Sequence, residues 1–225
     1  MLVQARRLEL LSPLLSEIAG TTSDDLASGY ADLLLFNVFP YASAFLDFEG
    51  ELNSKRAQMI HVIYDEHGYF PSELREVGGP DHIGLLLGIL DHVSWEVILP
   101  YVIDWAPVFC LAVEREMTAH PFYRALAKHT RNVLFSDLAS VAQCRSVQSQ
   151  GDHISLETGD PEEDSSLRSL VRYLLCPARS GIFLSRARLG YWARNLGVAL
   201  PFSSRLQVAT SLFEGVGLAG KVAEL

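Results

Sequence analysis

The apolar residues of this chain recur with the period of an α-helix along almost its whole length. Leucine and alanine dominate, and runs that alternate apolar with polar residues are rare. Proline and glycine interrupt the pattern at intervals, where helices commonly begin or end. The pattern therefore predicts an all-α protein, built as an irregular helical bundle.

Capping residues and interruptions set the predicted helix bounds. Thr22 precedes two acids and is a predicted N-cap, and Pro121 is predicted at the first turn of a long helix. The predicted helices cover residues 3–18, 24–37, 40–46, 51–66, 81–99, 102–119, 121–144, 167–175, 180–196 and 202–214. A segment rich in glycine and proline, residues 68–80, is predicted as a loop.

A polar segment, residues 145–166, divides the chain. Residues 1–144 are predicted to form the main helical bundle, and residues 167–225 the C-terminal helices, which we expect to pack on the same bundle. The segment between them is predicted to be a hinge-like linker. Such hinges favour domain swapping, so the organisation is compatible with a homodimer formed by helix exchange.

One predicted helix, residues 81–99, has two different faces. Its apolar face contains Ile83, Leu86, Leu87, Ile89, Leu90 and Val93. Its second face contains Asp81, Gly84, Gly88, Asp91, His92 and Trp95. A glycine costs about 1 kcal/mol against alanine inside a helix, and two a turn apart would leave a shallow trough between the acids. Either a bound backbone lies in this trough with its cations on partly exposed acids, or the glycines let a neighbouring helix of the same protein pack tightly.

Familiar catalytic and metal motifs fail on their context. Gly215–Gly220 fits a dinucleotide fingerprint and, with Lys221, a phosphate loop, but no strand precedes it and no Ser or Thr follows the lysine. The glycines indicate a helix C-terminus instead. His61, Asp65 and His67 do not provide a four-ligand metal set. We therefore predict no enzyme activity, no cofactor and no bound metal.

The net charge of −9 is unevenly distributed over the 225 residues. Residues 1–164 carry a net −15 and residues 165–225 a net +6, so the larger part repels nucleic acid and attracts basic segments. No run approaches the roughly 18 apolar residues that a membrane span needs, so we expect no membrane insertion. Glu9 interrupts the apolar patch after Arg6 and Arg7, which is unlike a signal peptide, and the three cysteines form no CxxC pair. We expect a cytoplasmic protein with buried thiols.

Several short motifs appear in order. Pro80-Asp81-His82, followed by a leucine-rich run, resembles the signature of the TorD/DmsD/NarJ family of cytoplasmic, all-helical chaperones for molybdenum-containing redox enzymes. The supporting segments are residues 30–36 with 40–46, Trp105-Ala106-Pro107-Val108-Phe109, and His120-Pro121-Phe122-Tyr123. Residues 176–186 resemble only a subset of the family. The resemblance implies a TorD-like bundle.

The resemblance also implies a function. A chaperone of this type binds the twin-arginine signal peptide, or the apo-body, of a molybdenum- or tungsten-cofactor oxidoreductase while the cofactor is inserted before export. Guanidinium groups favour paired hydrogen bonds to carboxylates. The predicted signal-peptide-binding residues are Asp81, His82, Gly84, Gly88, Asp91, Trp95, Tyr41, Phe45, Asp104 and Glu114. The alternative is a helical assembly factor that docks on a mature respiratory-complex subunit without binding a signal peptide.

Overall fold

The computed structural model describes residues 14, 16–47, 54–72, 74, 78–145 and 167–217. These residues form helices and connecting turns, and no β-strand occurs among them. The nearest approach to a sheet is one isolated antiparallel bridge between Tyr41 and His82. The all-α prediction is confirmed.

The helices are short except for one. In chain order they are α1 (Ser23–Tyr30), α2 (Ala42–Leu46), α3 (Lys55–Glu66), α4 (Ile83–Gly88), α5 (Trp95–Val102), α6 (Ala106–Arg115), α7 (Pro121–Arg145), α8 (Leu167–Leu174), α9 (Pro177–Ser180), α10 (Arg186–Leu196) and α11 (Arg205–Gly215). A π-helical segment, Ala31–Leu35, continues α1, and a 3-10 turn, Ile89–Asp91, continues α4.

Several predicted helix starts and ends are confirmed. Thr22 caps α1 in a capping box: its Oγ1 accepts a hydrogen bond from the Asp25 N–H, and the Asp25 carboxylate accepts one from the Thr22 N–H, both at 3.1 Å. Pro121 is the first residue of α7. Gly217, after α11, has a φ of +72°, as expected for a glycine that ends a helix.

The predicted single helix over residues 81–99 is wrong. Its chain divides into α4, the 3-10 turn and α5, and the helical path is interrupted between His92 and Ser94. Ser94 is extended, with φ −71° and ψ 156°, so α5 starts anew. Pro100 lies inside α5, not at its end. The two-faced helix is therefore two helices, and its residues do not share one continuous face.

Three further bounds differ from the prediction. The segment 180–196 is split because Gly181, with a φ of +67°, ends α9 five residues before α10 begins. The helix predicted over residues 102–119 is α6, which starts later than predicted, at Ala106. The helix predicted from residue 202 is α11, which starts only after Ser204, because the Ser204 side chain caps it by accepting a hydrogen bond from the Gln207 N–H. Most of the helix predicted over residues 3–18, residues 51–53, and most of the linker lie outside the described residues.

Two clusters of buried side chains organise the described part of the chain. The main core includes Phe45, whose ring stacks on Phe183 with centroids 5.3 Å apart and also meets Trp105 and Phe109. A smaller core joins α8, α10 and α11. Its buried residues are Val171, Leu175, Leu184, Leu189, Ala193, Val208, Ala209 and Leu212.

The C-terminal helices attach to the end of α2. Cys176 Sγ lies 3.0 Å from the Leu46 carbonyl, and the Arg205 guanidinium donates to the carbonyls of Ala44 and Leu175. These contacts satisfy carbonyl groups that the end of a helix leaves without an intrahelical partner. The five-residue helix α2 thus links the C-terminal helices to the main core.

No single described helix is long and apolar enough to cross a membrane. The helices α5 and α6 together have the length and apolar composition of a membrane span, but a bend of 57° separates them.

Candidate functional site

Asp81 lies at the start of the segment that the sequence singled out, and it is completely buried. Its Oδ2 accepts a hydrogen bond of 2.9 Å from the Ser43 N–H, and its backbone carbonyl accepts one of 3.1 Å from the Ala42 N–H. Asp81 therefore satisfies donors at the first turn of α2 from another part of the chain. Burial raises the pKa of its carboxyl group. The expected partial exposure of Asp81 is wrong.

His82 caps the next helix. Its Nδ1 accepts a 3.1 Å hydrogen bond from the Gly84 N–H, so His82 is the N-cap residue of α4. This bond places the proton of the neutral ring on Nε2. The ring meets the Tyr41 ring edge-on at 5.3 Å, and burial lowers the pKa of His82 to about 4. His82 is therefore neutral at pH 7.

The loop before Asp81 is held from two sides. Tyr64 of α3 donates a 2.7 Å hydrogen bond to the Pro80 carbonyl. A side chain on Gly79 would have its Cβ 3.0 Å from Asp81 Oδ1 and 3.3 Å from the Tyr41 ring. Glycine at this position leaves room for the buried carboxylate and for the tyrosine. The junction of Tyr41, Asp81 and His82 is therefore a fixed structural unit.

The two predicted trough glycines have different surroundings. Gly88 lies beneath Tyr69, because a Cβ at Gly88 would be 2.5 Å from the Tyr69 hydroxyl. Gly84 is exposed, and a Cβ there would meet only the His82 ring, at 3.2 Å. The packing interpretation therefore holds for Gly88, although its neighbour is a loop tyrosine and not a helix.

Asp91 and Trp95 flank the break between α4 and α5. Asp91 ends the 3-10 turn and is exposed, as predicted. Trp95 is the first residue of α5, is half-buried and packs against the main core. An exposed carboxylate and a partly accessible indole are groups that contact an arginine, through an ion pair and a cation–π interaction respectively.

Three other predicted site residues are engaged inside the fold. Phe45 is fully buried in the main core, so the expected contact of Phe45 with a peptide is not available in this structure. Asp104 pairs with Arg56 at 3.5 Å. Glu114 forms a two-point pair with Arg131, at 2.6 and 3.1 Å.

The structure adds a pocket that the sequence analysis did not identify. The pocket has a volume of about 400 Å³ and is lined by His61, Tyr64, Tyr69, Phe70, Pro71, Ser72 and Leu74. Tyr69 separates it from the α4–α5 break, since its ring lies 5.0 Å from Tyr64 and 5.1 Å from His92. The usable signal was Tyr69-Phe70-Pro71, an aromatic pair in a segment that the glycines and prolines had marked only as a loop.

Acidic residues surround this region. Asp65 lies one helical turn after the pocket residue His61, and Asp65, Glu66 and Asp91 are all exposed. No lysine or arginine occurs at residues 57–74 or 76–114, although Arg75 directly follows the pocket residue Leu74. The described surface therefore combines an aromatic pocket with carboxylates, which suits a ligand that is both basic and apolar.

Metal and thiol chemistry find no support in the described residues. No group of three or more His, Cys, Asp or Glu side chains there is placed to hold a metal ion. Cys110 and Cys176 are buried as predicted, and burial raises the pKa of both thiols, to about 12 for Cys110. Neither thiol is ionised at pH 7.

A family model matches part of the chain. Residues 3–96 match the family model described as nitrate reductase delta subunit. The match covers less than half of the chain, and it includes Tyr41, the Tyr69 pocket, Asp81 and Asp91 but ends before Asp104. This match supports the assignment of the chain to the NarJ/TorD-type family of chaperones. No curated protein and no solved structure gives a significant match.

Proposed function

We propose that this chain is a cytoplasmic chaperone for the maturation of a molybdenum- or tungsten-cofactor oxidoreductase. It would bind the twin-arginine signal peptide of that enzyme, or its apo-body, until the cofactor is inserted. The observation that carries the proposal is the family match over residues 3–96, because its range includes both the Tyr41–His82 junction and the exposed carboxylate of Asp91.

In this proposal Asp91 is the main contact for a guanidinium. It is exposed, whereas Asp81 is buried, and Asp104 and Glu114 already hold arginines. We therefore place Asp104 and Glu114 outside the contact surface. Trp95, on the other side of the α4–α5 break, is the aromatic partner of the bound arginine in this proposal.

The remaining predicted residues have positioning roles. Asp81 and His82 fix the α2–α4 junction through the hydrogen bonds to Ser43 and Gly84. Tyr41 covers one side of the His82 ring. Gly84 leaves an open patch on α4. Phe45 supports this arrangement from the core and has no peptide contact.

A binding titration tests the proposal. The full chain is titrated with a peptide that carries two adjacent arginines followed by an apolar stretch, and with the same peptide carrying two lysines. We expect the arginine peptide to bind about tenfold more tightly or better, because lysine lacks the paired donors of guanidinium. Asp91→Asn should weaken binding of the arginine peptide, and Asp24→Asn, a change of an exposed acid on α1, should not. Equal binding of both peptides, or no binding, would contradict the proposal.

The assembly factor remains the alternative, and the name of the matched family, which describes a subunit, keeps it open. An assembly factor would bind the mature enzyme subunit and ignore the isolated signal peptide. Homodimer formation by helix exchange stays a prediction, for which size measurement in solution is the test.

A further inference from the structure

The Tyr69 pocket borders the chain segment that carries Asp91, the carboxylate that the proposed function uses. Tyr69 lies between the pocket and the α4–α5 break. Its hydroxyl lies over Gly88 and its ring contacts His92, and Tyr69 also lines the pocket together with Tyr64 and Phe70. Asp91 immediately precedes His92 in the chain. The segment that carries this carboxylate is therefore connected to the pocket through the contact between His92 and Tyr69.

The pocket presents apolar surface to solvent. Phe70, which lines the pocket, is 75% exposed. An exposed phenylalanine in the wall of a pocket offers apolar surface that a bound ligand can cover.

Charge restricts the choice of occupant. Asp65 and Glu66 are the last two residues of α3, and of these Asp65 lies one helical turn after the pocket residue His61. Asp91 precedes His92, whose ring contacts Tyr69. Carboxylates disfavour anionic lipid and nucleic acid and favour a cationic ligand. A ligand with cations next to an apolar stretch matches both halves of the surface.

We propose that the Tyr69 pocket binds the apolar stretch of a client peptide whose adjacent basic residues pair with Asp91 and Asp65. This inference rests on the proposed function and deepens it, because it assigns the two parts of the peptide to two sides of Tyr69. Phe70 is the specificity-determining contact for the apolar part. Its exposure in the free protein decreases when the peptide is bound.

The test compares two exposed phenylalanines. Phe70→Ser removes the pocket contact, and Phe202→Ser changes a fully exposed phenylalanine between α10 and α11. Each variant of the full chain is titrated with the twin-arginine peptide and with a version whose apolar stretch is replaced by serine and asparagine. We expect Phe70→Ser to weaken binding of the twin-arginine peptide about tenfold and to change binding of the polar version hardly at all, since only the twin-arginine peptide buries apolar surface on Phe70. Phe202→Ser should leave both affinities unchanged.

A photo-crosslinking residue in the apolar stretch provides an independent readout. Mass spectrometry of the crosslinked parent chain should place the adduct within residues 61–74. Melting curves of both variants check that they fold, and we expect both to melt close to the parent because substitutions at exposed positions seldom change stability much.

The outcomes separate the two proposals. If the parent chain prefers the twin-arginine peptide but Phe70→Ser binds it equally well, the pocket inference is wrong and the proposed function stands. If the parent binds neither peptide, both fail. If Phe70→Ser instead abolishes a peptide-independent self-association, the surface joins two copies of this chain and the inference is also overturned.

Discussion

Replacing Asp81 tests whether a buried carboxylate holds the start of α2. In Asp81→Ala the Ser43 N–H loses its acceptor at 2.9 Å in a position closed to water. A buried donor without a partner costs about 1–3 kcal/mol, and loss of a helix cap costs about 0.5–2 kcal/mol. Removing a carboxylate whose pKa is raised by burial offsets a part of this cost. We expect a net loss of about 1–2 kcal/mol in the free energy of unfolding.

Asp81→Asn is the matched control, because its carbonyl oxygen keeps the acceptor and removes the charge. Burial raises the pKa of Asp81, so the folded chain binds this proton more tightly than the unfolded chain, and the stability that the group contributes falls as pH rises above 3.8. The free energy of unfolding of the Asn variant, relative to that of the parent, should therefore be higher at pH 7 than at pH 4.

The assay is thermal and denaturant unfolding of the parent and both variants, with peptide affinity measured in parallel. For a chain of this size, each kcal/mol shifts the melting temperature by about 2–4 °C. We expect Asp81→Ala to melt lower, and Asp81→Asn to keep the parent's peptide affinity. An unchanged melting temperature for Asp81→Ala, or a large loss of affinity in Asp81→Asn with unchanged stability, would refute this reasoning and restore the exposed role that the sequence suggested.

Three further changes test the local contacts. Gly88→Leu should lose about 1–3 kcal/mol of stability, because its Cβ would lie 2.5 Å from the Tyr69 hydroxyl, and Gly84→Leu should lose less. Chemical denaturation of the two variants measures these losses, and equal losses would contradict the packing of Tyr69 on Gly88. Burial lowers the pKa of His82 to about 4 from its ordinary 6.5, so the parent should lose stability as pH falls from 6.5 to 4. His82→Asn should lose less stability over that range in melting curves recorded at several pH values. Identical pH profiles of parent and variant would contradict the burial of this ring. Arg205→Met should lower the free energy of unfolding, measured by urea titration, by about 2–4 kcal/mol, because two carbonyls at helix ends lose their donor. An unchanged free energy of unfolding would show that the packing of the C-terminal helices does not depend on these hydrogen bonds.

Local signals in the sequence were sufficient for the fold class and for several helix ends. The capping box at Thr22, the proline at the start of α7 and the left-handed Gly217 each act within a few residues, so their effect is visible in the sequence. The break between α4 and α5 was missed because apolar residues continue through it with helical spacing. Nothing local distinguishes Gly88 as a residue packed beneath Tyr69.

The candidate site was predicted only in part, because its geometry depends on contacts between distant segments. The face assigned to Asp81 assumed one continuous helix, whereas the bridge between Tyr41 and His82 turns this carboxylate inward to Ser43. The pocket beside Tyr69 needs α3 and the following loop together, so periodicity could not reveal it. Asp91, whose exposure depends only on its own turn, was predicted correctly.

The most direct test of the account is which form of a client enzyme the chain retains. A molybdopterin oxidoreductase, preferably one encoded beside this chain, is offered in three forms: apo with its N-terminal signal, apo without it, and loaded with cofactor. The account predicts strong retention of the apo form with the signal, weaker retention without the signal, and release of the loaded enzyme. Equal retention of the loaded enzyme lacking its signal would contradict the chaperone proposal and favour the assembly factor.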